Sequence, residues 1–143
     1  LQVDEIPVVE QDQGRARIQL IAGDLDDAKG PVETLTGVFM STVSLAAGGK
    51  ARLPAPRGRN VFCYVVRGAP TISGVECRIH HLIELTDGEG VEIEAPAGAF
   101  LAFGHAEPIN EPVFSHGPFV MTTREEIIQA INDYNAGKFG RIG

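Results

Sequence analysis

GVEIEAPAGAFLAF, residues 90–103, sets the fold class. Val91, Ile93 and Ala95 alternate with Glu92 and Glu94, the period of two of a strand with one buried and one solvated face. Pro96-Ala97-Gly98 then turns the chain. Residues 99–103 are apolar throughout and read as a strand inside a core.

The same grammar extends towards the N-terminus. Residues 15–22 place Arg15, Arg17 and Gln19 on one face and Ala16, Ile18 and Leu20 on the other. Residues 34–45 predict a long strand, with Val38, Met40, Thr42 and Ser44 opposite Phe39, Ser41, Val43 and Leu45, and a bulge at Gly37. Residues 50–53 are a short strand before a Pro/Gly/Arg loop at 54–58. Residues 61–66 form a nearly continuous apolar run, which predicts cover on both faces. Residues 68–74 turn into a hairpin returning through 75–79, which puts Cys63 and Cys77 on adjacent strands. Residues 80–85 continue as another strand, and Asp87-Gly88-Glu89-Gly90 is a turn. Near the start, Pro7 within the apolar run 6–9 suits an edge strand, and residues 1–14 read as a linker-like entry. Many short strands punctuated by turns make an antiparallel sandwich or barrel, taken as one domain over 1–143.

Towards the C-terminus the grammar changes. A polar, Pro-rich crossing at 107–112 leads to one helix, predicted over 122–136. Thr123 with Glu126 is a capping box, and Glu125 and Glu126 suit the positive end of the helix dipole. Ile127, Ile128, Ile131 and Tyr134 recur at helical spacing and predict a face packed on the outside of the barrel or across a dimer seam. Gly137 supplies the left-handed stop, with Lys138 beside it.

Composition narrows the function. The 143 residues carry a formal charge of −7, which argues against direct binding to nucleic acid or to an anionic membrane. Arg52, Arg57 and Arg59 read as a solvated loop group. There is no apolar run long enough to span a bilayer and no signal-peptide core. Two cysteines make no disulfide framework, and reduced thiols in a cytoplasmic protein are expected.

Two turns resemble the cupin motifs: residues 49–68, in which VFCYVVRG ends on Gly68, and EAPAGAF at 94–100 after Gly90. RIQLIAG at 17–23, the Gly30-Pro31 step, RNVFCYVVRG at 59–68 and EPINEPVFSHGPFVMTTREEIIQAINDYNAGKFG at 107–140 together resemble the C-terminal half of the pirin family. That resemblance implies an all-β cupin double-stranded β-helix, a jelly-roll barrel, with one C-terminal α-helix. Pirins carry two cupins. Their metal site, and the quercetin dioxygenase activity or transcriptional-cofactor binding credited to them, belong to the first, whereas this sequence is similar to the second.

Metal-binding cupins use a His-x-His pair, a Glu and a later His, a set suited to a divalent transition metal. Registered on Gly68, those positions fall near Ala55, Arg57, Val61 and Leu101, none a ligand. The histidines lie elsewhere. His80 and His81 are adjacent and on a strand point to opposite faces, one half-buried and one solvated. His105 and His116 are the weak candidates for a metal pair at the helix entry. No Gly-x-Ser-x-Gly elbow or phosphate loop is present. Asp87, Glu89, Glu92 and Glu94 read as a solvated acidic face, and Cys63, in an apolar run, as an unreactive thiol.

The remaining candidate is the barrel interior, lined by Asn60, Phe62, Tyr64 and Phe103, holding core aromatics or a small apolar ligand. The expectation is a domain without metal or other cofactor. It is a non-catalytic binding or interaction module, homodimeric through the surface a second cupin would otherwise cover. The alternative is a quercetin dioxygenase-like enzyme working in the barrel pocket.

Overall fold

β-branched and aromatic residues at period two, broken by glycine turns, leave the backbone little choice but paired strands. A computed structural model describes residues 3–86 and 88–140, so Asp87 of the predicted acidic turn lies outside the described residues. The chain falls into two compact units, Leu1–Pro108 and Ile109–Gly143.

The first unit holds β1 (Val8–Gln11), β2 (Ala16–Ala22), β3 (Asp24–Leu25), β4 (Ala28–Lys29), β5 (Phe39–Leu45), β6 (Gly49–Pro54), β7 (Asn60–Gly68), β8 (Thr71–Ile72), β9 (Val75–Glu76), β10 (Leu82–Leu85), β11 (Gly90–Ala95) and β12 (Ala99–Ala106). A six-stranded sheet in the order β1-β2-β5-β12-β7-β10 faces a four-stranded sheet, β6-β11-β8-β9. All pairings within both are antiparallel. This is the jelly-roll arrangement of a cupin.

Between the sheets lies one apolar core. Ile18 and Leu20 of β2, Val43 of β5, Val65 of β7, and Leu101 and Phe103 of β12 meet Leu53, Ile72 and Ile93 from the other sheet, each at most 1% exposed. The alternations read in β2, β5 and β11 hold residue for residue. The linker-like entry is built into the barrel: β1 forms the sheet edge, Gln11 exchanges two hydrogen bonds with the Arg52 main chain, and the Asp12 carboxylate accepts one from the Lys50 amide.

Gly68 and Gly104 sit at close approaches that a side chain would block. Gly68 has φ +85°, and a Cβ there would lie 2.3 Å from the Gly98 carbonyl oxygen, far inside contact distance. Gly104 lies beneath the Phe62 ring and the Met40 sulfur, at 2.8 and 3.1 Å from a Cβ built at that position.

Val61–Val66 is not covered on both faces: Val61, Cys63 and Val65 are buried, while Tyr64 and Val66 are 37% and 39% exposed. A register shift between β12 and β7 makes Val66 a bulge, and it leaves Arg67 free to lie over the Phe100 ring. Gly37 lies in a loop before β5, not in a bulged strand. His80 and His81 are both exposed and precede β10; His80 takes a left-handed turn conformation, so strand geometry does not apply to them. Cys77 follows β9 of the smaller sheet and is buried in the same core as Cys63, so the two cysteines are not on adjacent strands.

The second unit holds β13 (Phe114–His116), β14 (Phe119–Met121) and α1 (Arg124–Asn135). The capping box is formed: the Thr123 hydroxyl accepts from the Glu126 amide at 3.2 Å, and the Glu126 carboxylate accepts from the Thr123 amide at 3.0 Å. Hydrogen bonds from Thr122 and Thr123 hold the Glu126 carboxyl below its usual range. Gly137 takes φ +73°, and Lys138 pairs with Asp133 at 2.6 Å. The helix packs on the β13–β14 hairpin through a narrower face than the spacing predicts. Ile127 and Ala130 are buried, whereas Ile128 is exposed, because successive residues are about 100° apart around a helix. Tyr134 is exposed too, in an aromatic cluster with Phe119 and Phe139 at 6.2 and 6.3 Å.

Candidate functional site

Inward-facing side chains continue along β12 beyond the apolar core. Ala99, Leu101 and Phe103 are followed, two residues on, by His105. Its register neighbours are Phe39 on β5 and Val61 on β7. The imidazole stacks on Phe39 with centroids 4.8 Å apart and planes 11° from parallel, and meets the Phe103 ring nearly edge-on at 6.1 Å. It is 6% exposed, and neither ring nitrogen meets a hydrogen-bond partner among the described residues. Burial, then the Arg59 guanidinium, push its pKa down to about 4, weakly opposed by its own main chain. At neutral pH this is an uncharged imidazole.

Arg59 enters from the start of β7. Its Nη2 donates to the Gly37 carbonyl, and its Nη1 lies 3.9 Å from the exposed Glu107 carboxylate. Its Nε is buried without a partner among the described residues. An unpaired buried donor or acceptor costs about 1–3 kcal/mol, so leaving such groups at one place calls for an explanation. Arg59 therefore differs from Arg52 and Arg57, whose side chains are 72% and 79% exposed and lie beside Glu92 and Glu89. Period two makes the difference legible: Arg59 shares the parity of Val61, Cys63 and Val65, the inward residues of the same strand.

These two side chains line a pocket of about 570 Å³ at one end of the sheets, where β2, β6 and β12 end and β5 and β7 begin. Its walls are Val32, Val38, Phe39, Pro54 and Pro56, with Asp24, Lys29 and Glu33 also lining it. The segment between β4 and β5 is pinned by the Val38 amide donating to the Thr34 hydroxyl at 2.8 Å. Gly30 passes so close to β2 that a Cβ would lie 2.6 Å from the Ala22 nitrogen.

The sequence-derived pocket residues split between two places: Phe103 lies fully buried in the core, while Asn60 and Phe62 line a hollow on the outer face with Leu82 and Glu84. Asn60, Phe62 and Tyr64 project from the opposite face of β7, outside the barrel; Asn60 and Tyr64 are exposed and Phe62 is half-buried. The run VFCYVV contains no polar residue to mark its outer face, so parity had to come from the partner strands.

The positions that hold the metal in metal-binding cupins carry no ligands here. Ala55, Val61 and Leu101 are buried, Arg57 is exposed, and none offers a donor. His105 is a solitary imidazole beside a guanidinium, and His116 is exposed on β13 of the second unit. Among the described residues, no three His, Cys, Asp or Glu side chains converge. The donor set does not fit the four-ligand site of metal-binding cupins. Cys63 is no nucleophile either: burial, with Cys77 nearby, pushes its thiol up to about 12. Glu92 and Glu94 form the solvated face expected, with Glu94 2.8 Å from Lys50.

The family model for the pirin C-terminal cupin domain matches residues 40–140. The chain belongs to the pirin family. Human pirin is 34% identical over 146 residues, covering 98% of this chain and 50% of that protein. A pirin-like protein of Solanum lycopersicum is 34% identical over 141 residues, covering 95% and 48%. Among solved structures, a quercetin 2,3-dioxygenase from Acinetobacter baumannii superposes with a TM-score of 0.92 at 31% identity, covering 100% of this chain and 50% of that one. The chain thus spans about half the length of the pirin relatives it matches.

Proposed function

We propose that this pirin-type cupin domain is a non-catalytic binding module that holds a small molecule at the mouth of its barrel. One observation carries the reading. The mouth presents apolar walls interrupted by charged side chains, with a guanidinium and an uncharged imidazole around open volume, and among the described residues no set of metal ligands converges. Pockets of a few hundred Å³ with mostly apolar walls and a few placed polar groups are the usual form of small-molecule sites. The two free, buried thiols suit a reducing compartment such as the cytoplasm. The rival reading, a quercetin dioxygenase-type enzyme, rests on the names of the Acinetobacter relative and of several bacterial and archaeal relatives, of each of which this chain covers about half. To decide, the purified chain is loaded with iron(II), nickel(II), copper(II) or manganese(II), dialysed, and assayed for bound metal and for oxygen uptake with quercetin. Metal well below one ion per chain and no oxygen uptake are expected; stoichiometric metal with turnover would refute the binding-module reading.

A second observation favours self-association. Val8, Gln19, Thr42, Ala102, Tyr64 and Leu82 form a register row across the outer face of the six-stranded sheet. At about 4.8 Å per strand the row runs roughly 24 Å without a charge. Leu82 at its end is 60% exposed. We propose that a second copy covers it. Light scattering in concentrated solution should give the mass of two chains, and a clean monomer would exclude the dimer.

A further inference from the structure

We propose that Arg59 and His105 form a carboxylate-binding subsite, so that the ligand of the barrel mouth is a small monocarboxylate with an apolar body. This rests on the reading of the domain as a binding module and names its ligand class.

Three observations converge on it. Arg59 Nε and both His105 nitrogens are buried and unpartnered among the described residues, and both side chains line the same pocket. Among the described residues, no protein group engages these hydrogen-bonding atoms. A guanidinium with an N–H to spare beside an uncharged imidazole, which supplies one more N–H, matches the oxygens of a carboxylate. Arg59 is held in place for this. Its Nη2 is anchored on the Gly37 carbonyl, so the side chain is already ordered before a ligand arrives.

The other charges select the valence. Arg59 and Lys29 meet Asp24 and Glu33 among the lining residues, and Glu107 lies 3.9 Å from Arg59 Nη1. Two cations against three carboxylates leave little room for more than one further negative charge. A monoanion is accommodated by the local Arg59 contact. A phosphate dianion would put a second charge beside those carboxylates. Val38, Pro54 and Pro56 offer the rest of the ligand an apolar surface.

The test uses the 143-residue chain and two isosteric probes, benzoate and benzamide, titrated while the side-chain Nε–H resonance of Arg59 is followed by NMR. Benzoate should bind saturably, move that resonance, and bind about tenfold or more tighter than benzamide, the usual gain for a charge-assisted pair. Arg59→Met should abolish the preference for benzoate. His105→Phe, which keeps the stack on Phe39, should reduce it, and Lys29→Met should leave it. Equal binding of both probes at this pocket would overturn the carboxylate subsite and leave the binding module standing. Failure of benzoate to perturb Arg59, or an equal loss in Lys29→Met, would overturn it too. Because benzoate against benzamide is read on the unaltered chain, a misfolded variant cannot rescue the idea. Stoichiometric metal with quercetin turnover, by contrast, would refute the module itself.

Discussion

Replacing His105 by Phe should make the protein more resistant to acid. Unfolded, an imidazole takes its proton near pH 6.5; folded, burial and Arg59 delay protonation to about pH 4. Above pH 6.5 the ring is neutral in both states and the stability it contributes is fully present. Between 6.5 and 4 the unfolded chain binds the proton and the folded chain does not, so stability falls with pH. A separation of about 2.5 pH units at 1.36 kcal/mol each gives about 3 kcal/mol lost by pH 4. Phe fits the ring stack on Phe39 and Phe103, cannot titrate, and removes two unpaired buried nitrogens. Urea denaturation of both chains at pH 7.5, 6, 5 and 4 measures the effect. Carboxylates common to both titrate alike and cancel in the difference. The advantage of His105→Phe should be small or positive at pH 7.5 and grow by about 3 kcal/mol by pH 4. Parallel stability curves would show that the imidazole is neither desolvated nor opposed by Arg59, and would remove the electrostatic picture of the barrel mouth.

Other perturbations probe the frame. Gly68→Ala forces a left-handed φ on alanine and drives its Cβ into the Gly98 carbonyl; a loss of at least about 1–3 kcal/mol in thermal or urea unfolding is expected. Thr123→Ala removes one arm of the capping box and should cost about 1 kcal/mol of helix stability, read as faster amide exchange in the first turn of α1 with the barrel amides unchanged. Iodoacetamide at pH 8 should leave Cys63 unmodified in the native chain and alkylate it on unfolding, since its thiol titrates at about 12; rapid native labelling would contradict its burial.

Where polar and apolar residues alternate, sequence and structure agree. Glu92 and Glu94 mark the outside of β11, and Arg17 and Gln19 that of β2, so their inner faces could be read directly. The helix was legible because Thr123, Glu126 and Gly137 carry its boundaries in local chemistry. The hairpin β13–β14 was not, because each strand is three residues long and Gly117-Pro118 reads as loop. The parity of β7 was hidden by the run VFCYVV, where a one-residue slip exchanges the two faces. That slip sent the pocket assignment to Asn60, Phe62 and Tyr64 and left Arg59 among the solvated arginines. His105 was read only as half of a weak metal pair with His116, since its actual partners Phe39 and Arg59 are 66 and 46 positions away in the chain.

The pairing of His105 with Arg59 bears on how a barrel of this family differs from a metal-binding one. An imidazole pointing into the mouth of a two-sheet barrel is half of what a divalent cation needs. The other half is a surround that lowers the energy of positive charge, and here the nearest charged group is a guanidinium. Burial first, and that guanidinium second, disfavour even a proton on His105. A divalent ion at the same nitrogen would face about twice that repulsion at the same distance. For an anion the Arg59 contribution reverses sign, because a guanidinium attracts a carboxylate. The same two residues thus argue against a cation at the barrel mouth and in favour of an acid.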